Sequence, residues 1–212
     1  MQRKQYIELV RRQIYGGQPN DDAEITPNLV NKYLDFGVAF AAQKNYIDNN
    51  RLEGVSFVNN SFYTTFKSLE IESDEQFLWK IELPQIPVGI GANEGVSTIK
   101  LKDNESNQLT FPFIPLTMNQ TTYNRGMRPI PNKTLYYSEG KNLFILSTLL
   151  LSDYTAQVTM ISGGNSADMD SEYNVPPDYI PFIGDYIKKE LMFERLSPVD
   201  EKADGLDSVK NV

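Results

Sequence analysis

Apolar residues recur at helical spacing through the stretch TPNLVNKYLDFGVAFAAQKNYIDN, from Thr26 to Asn49. Val30, Tyr33, Leu34, Gly37, Val38, Phe40, Ala41 and Ile47 fall on one broad face. Leu29 and Phe36 widen it, and polar residues are confined to a strip through Asn28, Lys32, Asp35 and Gln43. Thr26 is placed as N-cap and Pro27 sits at the first helical position, where a missing N–H costs nothing. A helix this apolar is expected to be covered on more than one side. Gly37, Ala39, Ala41 and Ala42 leave room for close backbone approach. Two arrangements satisfy the pattern. The helix is either the centre of a small monomeric domain, or it packs both inside its own subunit and against a neighbouring copy. In the second arrangement Phe36, Gly37 and Phe40 are candidate contact residues.

The same periodicity predicts a helix over residues 3–15, with Tyr6, Ile7, Val10 and Ile14 on one face and Gly16-Gly17 ending it. Ile25, just before the cap, is placed to staple onto the long helix. A third helix starts near Asp178, tolerates Pro181 in its first turn, and carries Ile180, Ile183, Ile187 and Leu191 as a stripe. Tyr179, Phe182, Tyr186 and Phe193 widen that stripe.

Between Gly54 and Ile161 the period changes. β-branched and aromatic residues alternate with polar ones between turn signals, giving about seven or eight strands at hairpin spacing. Expected strands include Val55–Val58, Ser61–Phe66, Phe77–Leu83, Val96–Leu101, Leu109–Phe111, Thr134–Tyr137, Asn142–Thr148 and Tyr154–Ile161. Asp103-Asn104 and Glu139-Gly140-Lys141 read as hairpin turns. Two connections are longer than a hairpin needs and carry apolar residues. One is Pro84–Gly95, with Ile86, Val88 and Ile90; the other is Pro115–Pro131, with Arg125 and Arg128. Long apolar loops in a compact domain point to function, so these residues join the candidate interface.

The order implies an α+β fold: a helical base of two N-terminal helices and one C-terminal helix, with an inserted antiparallel β-sandwich or barrel. The expected division is an N-terminal helical part (1–53), an inserted β domain (54–163), a C-terminal helix completing the base (164–195) and a tail (196–212). The tail is low in hydrophobicity and is expected to order only on a partner.

Composition narrows the chemistry. The chain has no histidine and no cysteine. That removes Ser-His-Asp and Cys-His nucleophiles and zinc sites built on those ligands. Net charge is −8, against general binding to nucleic acid or anionic membrane. Residues 1–20 carry Arg3, Lys4, Arg11 and Arg12 against Glu8, a charge of +3, so the rest sums to −8 − 3 = −11. A solvated helix face is the commoner explanation of such a basic end, but a basic end on an acidic body also suits head-to-neighbour contact, which makes Arg11 and Arg12 further candidates. No apolar run approaches the roughly 20 residues of a membrane span, and no apolar leader follows Met1.

Three other patterns are weak. Asp168-Met-Asp170-Ser-Glu172 alternates acids as calcium loops do, but lacks the glycine and the distant glutamate; a solvated acidic turn explains it better. Gly89-Ile-Gly91-Ala-Asn-Glu94 superficially matches a dinucleotide loop without its third glycine or a βαβ setting. Carboxylates are plentiful, yet no pair stands out for glycoside hydrolysis. No cofactor or metal and no enzymatic activity are expected. Arg125 and Arg128 could grip a carboxylate or phosphate of a partner, although a structural loop stiffened by Pro129 and Pro131 explains them more simply. Most of the aromatics are expected in the β core, but Trp79 and the tyrosines could stack on sugars, which defines an alternative: a β-sandwich binding module acting as a surface glycan receptor.

Whole segments resemble a known family. Ile7–Gly17 (IELVRRQIYGG), Asn60–Lys67 (NSFYTTFK), Leu83–Gly91 (LPQIPVGIG), Arg128–Lys133 (RPIPNK) and Met160–Gly164 (MISGG) are similar to the head–tail connector, or neck ring, proteins of crAss-like bacteriophages infecting gut Bacteroides. The likeness runs over roughly residues 3–195. The resemblance implies a virion structural protein of the neck or tail, made in the host cytoplasm and without catalytic residues. It implies a homo-oligomeric ring below the portal that shares its twelvefold symmetry, as a dodecamer. It also implies contacts with the portal protein and further neck or tail proteins, genomic DNA passing through the channel without specific binding, and no membrane. The helix–β–helix order also resembles adaptor proteins of other short-tailed phages.

Overall fold

The computed structural model describes residues 1–18, 25–75, 77–90, 95–103, 108–109, 113–116 and 134–196, with only the backbone described at 108–109 and 193–196. The helices are α1 (Arg3–Tyr15), α2 (Pro27–Glu53) and α3 (Ile180–Leu196). Short 3-10 turns cover Asn60–Phe62 and Pro177–Tyr179. The start of α2 is built as its sequence dictates: Thr26 Oγ1 accepts from the Leu29 amide at 3.2 Å, and Pro27 opens the first turn. Gly54 ends it in the left-handed conformation, φ +67°.

The strands are β1 (Tyr63–Glu75), β2 (Leu78–Glu82), β3 (Val96–Asp103), β4 (Gln108–Leu109), β5 (Phe113–Pro115), β6 (Thr134–Glu139), β7 (Asn142–Leu146) and β8 (Tyr154–Ile161). They form one sheet in the order β4-β3-β8-β1-β2-β7-β6-β5. Every pairing is antiparallel except β5 with β6, which run parallel through Phe113↔Thr134 and Pro115↔Tyr136. The sheet is therefore mixed, where an all-antiparallel one was expected. The β6–β7 hairpin turns through Gly140 and Lys141 as read from the sequence; residues 104–107 of the β3–β4 turn lie outside the described residues.

The expected choice between sandwich and barrel resolves as a nearly closed barrel. β1 is long enough to pair with β8 along its first half and with β2 along its second, and it bends between them at a bulge around Ser68 (φ +57°). One buried cluster draws Ile99 from β3, Val158 from β8, Ile71 from β1, Ile81 from β2, Ile145 from β7 and Tyr136 from β6. A flat sheet could not bring β3 and β6 into one core. Val96–Ile99 and Phe113, Pro115 and Tyr136 also line a common cleft, so the two margins of the sheet approach each other.

Val55–Val58, read as a strand, is irregular. Its neighbourhood bonds to asparagines of α2 instead of to a ladder: Asn49 Nδ2 donates to Phe57 O at 3.1 Å, and the Asn59 amide donates to Asn45 Oδ1 at 2.9 Å.

The helical base has its own core. Tyr6, Val10, Leu34, Val38, Ile183 and Ile187 are buried together with Phe62 and Ile161 from the first and last barrel junctions. Both chain crossings between base and barrel are thus packed into that core.

Candidate interface on the long helix

The position of α2 is fixed first by Arg3, whose side chain is fully buried. Its Nε donates to Asn31 Oδ1 at 2.6 Å, Nη1 to Gly163 O at 2.9 Å, and Nη2 to both Asn31 O and the Asp35 carboxylate. One guanidinium thus ties α1 and α2 to the chain leaving β8. It also lies 5.7 Å over the Tyr173 ring, which stacks on Tyr6. Burial pushes the hydroxyls of Tyr6 and Tyr173 well above the ordinary tyrosine range. Tyr6 donates to Ile180 O, whereas the Tyr173 hydroxyl is buried with no partner.

Of the basic residues at the chain start, Arg3 is thus spent inside the chain. Arg11 is likewise largely spent within the chain: its Nε donates to Ile25 O at 3.1 Å, and it faces Glu8 at 3.6 Å. Arg12 stays on the surface, held loosely by Glu8 at 3.2 Å.

One flank of α2 is consumed by α3. Gly37 lies directly under Ile183, with no space for a side chain between them. Phe40 stacks on Phe182 and Tyr186 at 5.4 and 5.1 Å between centroids and remains 45% exposed. Asn45 Nδ2 donates to Tyr179 OH at 3.2 Å. The pairings of Asn45 with Tyr179 and of Gly37 with Ile183 make α3 antiparallel to α2.

The other flank faces a groove of about 580 Å³ between α2 and the β2–β3 connection. Phe36, Ala39 and Gln43 form the helix side; Gln85, Ile86, Val88 and Ile90 form the loop side. Phe36 is 61% exposed and Ile86 56% exposed, large values for such side chains. The loop is held in place. The Leu83 amide donates to Lys141 O at 2.8 Å, the Val88 amide to Ile161 O at 3.2 Å, and the Ile161 amide to Gly95 O at 2.8 Å. Gly95 has φ +83°, and a Cβ there would collide with Val88 O at 1.9 Å, so the loop lies flat only because that residue is glycine. Gln85 is buried with its Oε1 unpartnered. Lys32 and Lys141 stand at the rim and make no ion pair among the described residues, while Asp35 is engaged by Arg3.

Of the candidate residues, Phe36, Ile86, Val88 and Ile90 are brought together in this groove. Phe40 lies on the adjoining aromatic patch, Gly37 and Arg11 are internal, and Arg12 is elsewhere on the surface. Arg125 and Arg128 lie outside the described residues, as do residues 197–212 of the tail. Sequence reasoning missed Gln85 and the rim lysines; the signal was a polar residue inside an apolar loop.

Geometry bears on three other readings. The acidic turn caps α1: the Arg3 and Lys4 amides donate to Ser171 O at 2.9 Å and Met169 O at 2.8 Å, and Asp168 Oδ1 accepts from the Asp170 amide. Gly89 lies in the connection between β2 and β3, while Gly91 and Glu94 of that pattern lie outside the described residues. Trp79 is inside the barrel core, where no sugar can stack on it. Among the described residues no three His, Cys, Asp or Glu side chains gather as metal ligands, and no helix is long and apolar enough to cross a membrane.

No known protein-family model matches the chain, and no curated protein matches it.

Proposed function

We propose that the chain is a ring-forming connector of a phage neck, linking portal to tail around the DNA exit channel and doing no chemistry itself. The observation that carries this reading is the two-sided use of α2. One flank is covered by α3 through Gly37 and Ile183, and the other presents Phe36 over a groove with Ile86 on its loop side. A cyclic ring needs such a surface, because each subunit meets its neighbours through two different faces and closes by rotation. The segment likeness to crAss-like neck proteins supplies the setting, with twelve copies below the portal. The acidic surface supports it as well: Glu70, Glu72, Asp74 and Glu75 are exposed along β1, and like charge keeps DNA from adhering to a channel wall.

The glycan-binding alternative rested on Trp79 and the tyrosines; Trp79 is buried in the barrel core and lends it no support. Electron microscopy of intact particles tests the connector reading. The expected density is a ring at the portal exit; absence of the protein from the neck would overturn it.

A further inference from the structure

Two exposed apolar surfaces lie at opposite ends of the barrel, and their margins carry opposite charge. The groove beside α2 is the first. Phe36 and Ile86 stand exposed on its two sides, and the charged residues lining it are Lys32, Asp35 and Lys141. Asp35 is engaged by Arg3, whereas the lysines make no ion pair among the described residues, so the rim is basic. The β7–β8 connection is the second. Leu149 and Leu150 are 43% and 71% exposed there, while Leu151 is buried in the barrel core. The turn that carries them is tied down. The Ser147 amide donates to Phe77 O at 3.0 Å, the Leu149 amide to Ser147 Oγ at 3.1 Å, and the Tyr154 amide to Leu151 O at 3.1 Å. Asp153, Glu70 and Glu72 line a hollow beside this turn, and all three are exposed. None of them is ion-paired among the described residues, and Lys80, opposite Glu72 across the β1–β2 ladder, makes no pair with it. The tip is therefore apolar with an acidic margin, and the groove apolar with a basic one.

We propose that the Leu149-Leu150 tip of one copy seats in the α2 groove of the next, between Phe36 and Ile86, with Asp153, Glu70 and Glu72 facing Lys32 and Lys141. The two surfaces cannot meet within one chain. Lys141 precedes β7 and Leu149 follows it, and the five paired residues Asn142–Leu146 hold them apart by roughly 17 Å or more. Only a second molecule can bring tip and groove together, and a second copy carries the matching charge. Groove against groove would oppose lysines to lysines, and tip against tip acids to acids. The contact is therefore heterologous, each copy giving its tip to one neighbour and its groove to the other. The hydrogen-bonded turn presents both leucines with little freedom left to lose on docking. This inference rests on the ring reading and deepens it, because it names the second face that a closed ring requires.

The chain has no cysteine, so single introduced thiols report this contact. The full chain is made as Ile86→Cys and, separately, as Leu150→Cys; both positions are mostly exposed, so folding is preserved. The two proteins are mixed under mild oxidation. The mixed disulfide is expected to form at least about tenfold faster than either like-with-like disulfide, because docking raises the local thiol concentration. Lys32→Glu with Lys141→Glu in the Ile86→Cys protein should slow it by about threefold or more. Glu72→Lys with Asp153→Lys in the Leu150→Cys partner should then restore the rate. Mixed and like disulfides forming at equal rates would overturn the proposal, and so would charge reversal without effect. A neck ring in particles whose subunits do not link through this pair would sink the contact and leave the connector reading standing. Linking through this pair by a protein absent from the neck would do the opposite.

Discussion

A Cβ on Gly37 would stand 2.6 Å from Cγ2 of Ile183, closer than real side chains approach. α2 and α3 therefore meet backbone to side chain, and the glycine is required by space. Gly37→Leu is expected to destabilise the isolated subunit by about 3 kcal/mol or more, with overpacking outweighing the ~1 kcal/mol gained in helix propensity. Ile183→Ala opens the opposing space. The double variant should recover part of the loss made by Gly37→Leu, a coupling readable from a urea-denaturation cycle. Purely additive losses would refute the contact.

Arg3 supports the joint between base and barrel. Arg3→Met leaves the Asp35 carboxylate, the Gly163 carbonyl and Asn31 without their donor. Breaking a buried pair costs about 3–5 kcal/mol; Asp35 is partly exposed and can rehydrate, which favours the lower end. A chain of this size loses roughly 2–4 °C per kcal/mol, so calorimetry should record a fall of about 6–12 °C. Arg3→Lys should recover little, because an ammonium cannot span the four acceptors that the planar fork reaches.

Much of the fold was legible, and the illegible parts share a cause. Thr26-Pro27 and the apolar spacing behind it located α2, and Gly140 located a hairpin, because these signals are local. β5 left no trace: three residues carry no periodicity, and its parallel partner begins at Thr134, beyond a long connection. The burial of Arg3 was hidden because Asn31, Asp35 and Gly163 are distant in sequence; a basic residue near the chain start reads as solvated until its partners are placed. Half of the candidate interface was found through loop composition. Gln85 was passed over because an unpaired buried oxygen exists only in three dimensions.

Alkaline pH should unfold the base before the barrel. Burial raises the Tyr6 and Tyr173 hydroxyls, so the folded state keeps protons that the unfolded chain releases near pH 10. The unfolded state binds fewer protons above that value, and stability present in full below pH ~10 declines as pH rises toward the folded-state values. Tyr173→Phe removes a hydroxyl that has no partner, so stability at pH 7 should be unchanged or higher by up to ~1 kcal/mol. Urea midpoints from pH 7 to 11 should fall less steeply in this variant than in the parent.

Phe36 and Ile86 separate folding from assembly. Both are mostly exposed and neither belongs to a buried cluster, so Phe36→Ser and Ile86→Ser should change subunit stability by no more than ~0.5 kcal/mol. If the groove seats a neighbouring copy, each replacement removes an apolar anchor worth roughly 2 kcal/mol per interface, and a twelve-membered ring forfeits that at every junction. Particles made with the double variant should lack the neck ring in micrographs, while the purified subunit melts as the parent does. Normal rings with both serines in place would show that subunits join through another surface.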